Sequence, residues 1–166
     1  MELIRQNKQE PNCFAVSAVM VLRHQLEKTN RYMALSKAHL EGLLKKIGHR
    51  GQEVLWEKAD GNQKLKGIHP QEIIDWYSEF GYTLWLLERF PRSAPQGFHN
   101  DARMVWDGTD ADARFWKILD ERAGIIITSS HAVAWDGKNF FDPNGSRFPE
   151  SVFKRQAIEA WLICRL

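Results

Sequence analysis

The sequence predicts an α+β fold in which N-terminal helices pack on a C-terminal antiparallel sheet. Three observations carry this expectation. Apolar residues recur at helical spacing in several segments before residue 124, the last third shifts to short apolar runs, and Asp136-Gly137 stands between two of those runs as a hairpin signal. At 166 residues, 43% of them hydrophobic, the chain suits one domain over 1–166 with a substantial core.

The elements follow in order. Residues 13–28 (CFAVSAVMVLRHQLEK) are apolar until the last turns and predict a mostly buried helix, entered through Pro11 and Asn12, a favourable cap residue. Ser36 caps a second predicted helix through Leu40, Leu43, Leu44 and Ile47, ending at Gly48. Residues 48–67 hold four glycines without periodicity and read as loop. His69–Phe80 places Pro70 early and sets Ile73, Ile74, Tyr77 and Phe80 on one side, with Gly81 where a helix ends. Tyr82–Glu88 (YTLWLLE) predicts a strand, and 89–109 a long surface loop of the kind that often carries function. Asp110 caps a helix through Phe115, Ile118 and Leu119 that ends near Gly124. Ile125–Ile127, His131–Trp135, Lys138–Phe141 and Trp161–Leu166 read as strands, the middle two joined by a tight turn at Asp136-Gly137. Trp76, Trp85, Trp116 and Trp161 fall within these elements and are expected in the core.

Composition removes several functional classes. Lys+Arg 23 against Asp+Glu 21 leaves +2 with no basic block, which argues against nucleic acid as partner. No apolar run spans a membrane, and the N-terminal MELIRQNKQEPN lacks the apolar core of a secretory signal. Two cysteines, Cys13 and Cys164, build no disulfide framework and point to a reducing, cytoplasmic compartment. The histidines and cysteines match no zinc spacing, and the glycines form no phosphate loop, so neither a metal nor a cofactor is expected.

What remains is a nucleophile pattern. Cys13 falls in the first turn of the first helix, where the macrodipole favours the thiolate. Gln9, a few residues upstream across a turn, is placed to offer its side-chain amide beside the Cys13 backbone N–H, and two such donors make an oxyanion hole; Gln6 is the other candidate donor. Far along the chain, Ser130-His131-Ala132-Val133-Ala134-Trp135 opens one arm of the hairpin with a histidine, and Phe140-Phe141-Asp142-Pro143-Asn144-Gly145 closes the other with a carboxylate. Antiparallel pairing makes His131 and Asp142 neighbours, and a carboxylate there fixes the imidazole tautomer and stabilises the imidazolium. Read singly, Cys13 is a small buried hydrophobe, His131 a strand-end residue and Asp142 a turn former. Their conjunction is what points to chemistry. Trp106, in the long loop beside Phe98 and Met104, is a candidate substrate contact, as are Asn12, Ser130 and Asn144.

Gln-x3-Cys at the head of an apolar helix, followed much later by His-Ala-Val-Ala-x-Asp-Gly and Phe-Asp-Pro-Asn-Gly, resembles the papain-like cysteine peptidase superfamily. Within it the pattern is similar to the bacteriocin-leader (double-glycine) peptidases and the Josephin deubiquitinases. The order of elements follows theirs over most of the chain, whereas the specific motifs cover only residues 9–15 and 130–145. Phe14 departs from the glycine usual after the leader-peptidase cysteine, and the Gln9-to-Cys13 gap is short for the superfamily. The resemblance implies a papain-like fold and hydrolysis of a peptide or isopeptide bond in a protein or peptide substrate. It implies Cys13 as nucleophile, His131 as base and then acid, Asp142 as orienting group and Gln9 as oxyanion donor, with Asn144 the alternative third member. The same residues on this scaffold also serve deamidation, transglutamination or acyl transfer, and a binding module that kept the fold without turnover is the remaining reading.

Overall fold

The computed structural model describes residues 1–5, 13–29, 42, 70–89, 108–128, 131–145 and 150–166. Its elements are α1 (Cys13–Lys28), α2 (Pro70–Ser78), β1 (Tyr82–Glu88), α3 (Gly108–Leu119), β2 (Gly124–Ile127), β3 (Ala132–Trp135), β4 (Phe140–Phe141), α4 (Glu150–Gln156) and β5 (Glu159–Arg165). The fold is α+β, with five antiparallel strands in the order β1-β5-β2-β3-β4. The predicted helix from Ser36 to Ile47, the loop at 48–67 and nearly all of the loop at 89–109 lie outside the described residues.

Strand alternation divides the core in two. Ile125, Ala132 and Ala134 join α1, α2, Tyr82 and Leu84 in one cluster. Their sequence neighbours Ile126, Val133 and Trp135 join Phe115 and Leu119 of α3, Phe153 of α4, Ala160 and Leu162 in the other. This is the period of two that sends successive side chains to opposite faces. Helices therefore cover both faces, a richer arrangement than N-terminal helices on one sheet. α1 is buried almost all round, from Phe14 to Leu22, and the alanines of β3 leave room for it to lie close. Tyr77 of α2 donates its hydroxyl to the Ala18 carbonyl at 2.6 Å, so its polar tip is satisfied inside the core.

The opposite cluster is locked by Arg89, only 8% exposed at the end of β1. Its Nε and Nη2 each lie 2.6 Å from Asp112 Oδ1 of α3. Its Nη1 donates to the carbonyls of Lys154 at 2.6 Å and Ala157 at 3.0 Å, at the C-terminal end of α4. One guanidinium thus neutralises a carboxylate and caps a helix whose last carbonyls have no intrahelical partner.

Several boundaries differ from the sequence expectation, each for a local reason. The connection from β3 to β4 is four residues, 136–139, because Trp135 pairs with Phe140 and Ala134 with Phe141. Asp136 Oδ1 accepts the backbone N–H groups of Lys138 (2.9 Å) and Asn139 (2.8 Å), so its side chain organises a wider turn than the two-residue reading. Gly137 has φ 103°, and a Cβ there would stand 2.9 Å from the Glu121 backbone, so only glycine fits. α4 was not anticipated: seven residues with a single buried apolar side chain, Phe153, give little periodicity. The last strand starts at Glu159 rather than Trp161, and lies inside the sheet between β1 and β2. Trp85, expected in the core, is 49% exposed. On the outer strand β1 the alternation that buries Tyr82 and Leu84 turns Trp85 the other way. No helix among the described residues is long and apolar enough to cross a membrane.

Candidate active site

Three segments converge at the N-terminal end of β3. α1 brings Cys13 as its first residue, half-buried, at the positive end of a sixteen-residue helix. The residue before β3 is His131, its side chain 18% exposed, and the residue after β4 is Asp142, its side chain 3% exposed. His131 Nε2 donates to Asp142 Oδ1 at 2.7 Å, a short contact of the charge-assisted kind. The ring also hydrogen-bonds the Cys13 sulfur.

The register explains why Asp142, not Asn144, makes the short contact. Continuing the β3–β4 pairing outward would put Asn144 opposite His131, but the ladder stops at Phe141. The chain then turns through Asp142-Pro143-Asn144-Gly145, closed by Gly145 N–H on the Asp142 carbonyl at 2.8 Å with Gly145 at φ 66°. Inside that turn Asn144 N–H donates to Asp142 Oδ1 at 2.8 Å, which fixes the carboxylate where the ring meets it. The Asn144 side-chain amide lies 3.5 Å from the same ring nitrogen. A two-residue hairpin turn would have put Asp142 directly across from His131. The real pairing is diagonal and is closed by the turn.

The electrostatics favour separated charges. Burial opposes the Cys13 thiolate, but the His131 hydrogen bond, the Ala132 backbone N–H, the positive ring and the Phe14 backbone N–H outweigh it and lower the pKa below 9.0. The Cys13 hydrogen bond raises His131; burial pulls it down, Asp142 raises it, and the balance lies at about 9. The lowered thiol and the raised imidazole shift the pair in the direction of thiolate and imidazolium. Cys164, on β5, shows the contrast: burial pushes its thiol up and no histidine offsets it.

Two supporting residues were missed from the sequence. Ser17, fully buried one helical turn past Cys13, donates to the Ala132 carbonyl at 3.3 Å and ties the nucleophile's helix to β3. Its position four residues after Cys13, on the same helix face, was the available signal. Thr128, buried at the end of β2, contacts the His131 backbone; only its spacing of three before the histidine could have marked it.

Thus Cys13, His131, Asp142 and Asn144 come together. Gln9, Gln6, Asn12, Ser130 and Trp106 lie outside the described residues. Among the described residues no group of three or more His, Cys, Asp or Glu side chains is placed to hold a metal ion. A cavity of about 480 Å³, lined by His24, Lys28, Glu121, Asp136 and Lys138, opens beyond the other end of β3 from this site. Compared with protein-family models, with curated proteins and with solved structures, the chain matches none.

Proposed function

We propose that the protein is a papain-like cysteine hydrolase that cleaves a peptide or isopeptide bond in a protein or peptide substrate. The observation that supports this best is the continuous relay from Cys13 through the His131 ring to Asp142, with the sulfur half-buried and the carboxylate enclosed. A structural histidine needs one partner; this one has a carboxylate on Nε2 and a thiol with a lowered pKa as a second partner.

The chemistry follows from the charges. The Cys13 thiolate attacks the carbonyl carbon, forming a C–S bond while the carbonyl electron pair moves to oxygen. The Cys13 backbone N–H, unpaired within α1 because it heads the helix, is one donor to that oxyanion, and Gln9 is the proposed second. As the tetrahedral intermediate collapses, the C–N bond breaks and the His131 imidazolium gives its proton to the leaving amine. Water then attacks the thioester, His131 takes a proton from it, and the acid leaves as the thiolate reforms. Asp142 holds the ring in place throughout and balances its positive charge. The thiol must stay reduced, which fits a cytoplasmic setting; both cysteines are unbridged.

The test is labelling with a thiol-directed electrophilic probe, together with hydrolysis of a peptide and ubiquitin-conjugate substrate panel. Wild type should label at Cys13 and release amine from at least one substrate, and Cys13→Ala should do neither while keeping its melting temperature. Ammonia release from protein glutamine without chain cleavage moves the same site to deamidation. A sulfur no more reactive than a free thiol at pH 6 overturns the enzymatic reading.

A further inference from the structure

We infer that Thr128 is a positioning residue for this site, holding the peptide group whose two ends serve the catalytic pair; the inference rests on the hydrolase reading above. Thr128 brackets the His131 backbone with three hydrogen bonds. Its backbone N–H donates to the His131 carbonyl at 2.8 Å. Its hydroxyl donates to the same carbonyl at 3.1 Å and accepts the His131 N–H at 3.1 Å. The residue is 5% exposed, so water does not readily replace these bonds.

The consequence lies on the far side of that carbonyl. The His131 C=O and the Ala132 N–H belong to one planar peptide group, so fixing the oxygen fixes the direction of the N–H. That N–H is one of two backbone groups, with the Phe14 N–H, that favour the Cys13 thiolate. Two donors on the carbonyl also polarise the peptide and strengthen its N–H as a donor. The next carbonyl, that of Ala132, is held by Ser17. Thr128 therefore sets both the origin of the imidazole and the one backbone N–H that β3 aims at the thiolate. Ile127 pairs with Ala132, so a single backbone hydrogen bond would have sufficed to continue the ladder at Thr128. The hydroxyl adds a second grip on both ends of His131.

The test is Thr128→Val, which keeps the shape and removes the hydroxyl, with Thr128→Ser to restore it. The measurement is the rate of Cys13 alkylation by iodoacetamide against pH, with Cys13 separated from Cys164 by peptide mass spectrometry. Thr128→Val should move the alkylation midpoint up by about one pH unit and slow the reaction at pH 6 by about ten-fold, as expected for a thiolate losing its partners. Thr128→Ser should return the midpoint to that of wild type. Should Thr128→Val prove too unstable to assay, Thr128→Ser against Thr128→Ala makes the same comparison. A folded Thr128→Val with the wild-type midpoint overturns the inference. Because this readout needs no substrate, it is separable from the hydrolase reading: a shifted midpoint in a protein that cleaves nothing keeps the positioning role and removes the hydrolysis.

Discussion

Two aspartates in this molecule each hold a basic side chain, one pair associated with each face of the sheet's packing, and the pairs are built to opposite ends. Asp112 meets Arg89, a group charged at every accessible pH, and the rest of that guanidinium is spent on helix carbonyls of α4. Asp142 meets His131, whose charge changes at about pH 9, and the Cys13 thiol is the other group that raises that imidazole. The first carboxylate belongs to a half-exposed side chain, 40% accessible, and the second to an enclosed one, 3% accessible. A clamp tolerates solvent because its charges never move. A relay must shield its carboxylate so that the ring answers to it and to the sulfur rather than to water. The difference separates an ion pair that fixes structure from one that controls protonation.

The strongest way to break the contrast is Asp142→Asn, which keeps shape and removes charge. It should lower kcat/KM by about 10²–10⁴ with the fold intact, since the ring loses its tautomer and its counter-charge. Hydrolysis kinetics beside circular dichroism would check this, and a loss smaller than ten-fold would leave Asn144 as the orienting group. Next comes the pH profile of kcat/KM, which should be bell-shaped. As pH falls through the depressed Cys13 value the sulfur gains a proton and attack stops. As pH rises through about 9, His131 gives up the proton that the leaving amine needs. A profile rising continuously past pH 10 contradicts the raised histidine.

Arg89→Met should act the other way round. It strands the α4 carbonyls and Asp112 and should cost about 2–4 kcal/mol in urea unfolding, discounted for the exposure of Asp112. Both limbs of the pH profile should stay where they are. The smallest effect is expected for Asn144→Ala, at most about ten-fold in kcat/KM, because its backbone N–H keeps the bond to Asp142 Oδ1 and its side-chain amide lies 3.5 Å from the ring. A larger fall would move the side-chain amide into the relay itself.

The sequence made the relay legible because its parts obey short-range rules. A cysteine opening an apolar helix and a histidine facing a carboxylate across a hairpin follow from periodicity and turn chemistry alone. Even there the register was drawn too tight: Asp-Gly suggests a two-residue loop, whereas the Asp136 side chain, by capturing two backbone N–H groups, builds four. The rest was hidden for physical reasons. Coverage of the second face depends on large side chains meeting across long separations, with Phe153 of a seven-residue helix stacked on Phe140 at 5.2 Å. Arg89 was invisible in the same way, since an arginine at a strand end looks like any solvated cation until its partners are assembled. Trp85 shows the limit of composition: an aromatic in an apolar strand is exposed when alternation on an outer strand demands it.

The place of β5 in the sheet has a consequence for biosynthesis. Among the described residues, β1 and the β2–β3–β4 ribbon are hydrogen-bonded to each other through β5 alone, and residues 159–165 leave the ribosome after the other four strands. His131 and Asp142, eleven residues apart, can find each other as soon as their hairpin closes. A nascent chain would therefore hold the His131–Asp142 contact before β1 is joined to the ribbon.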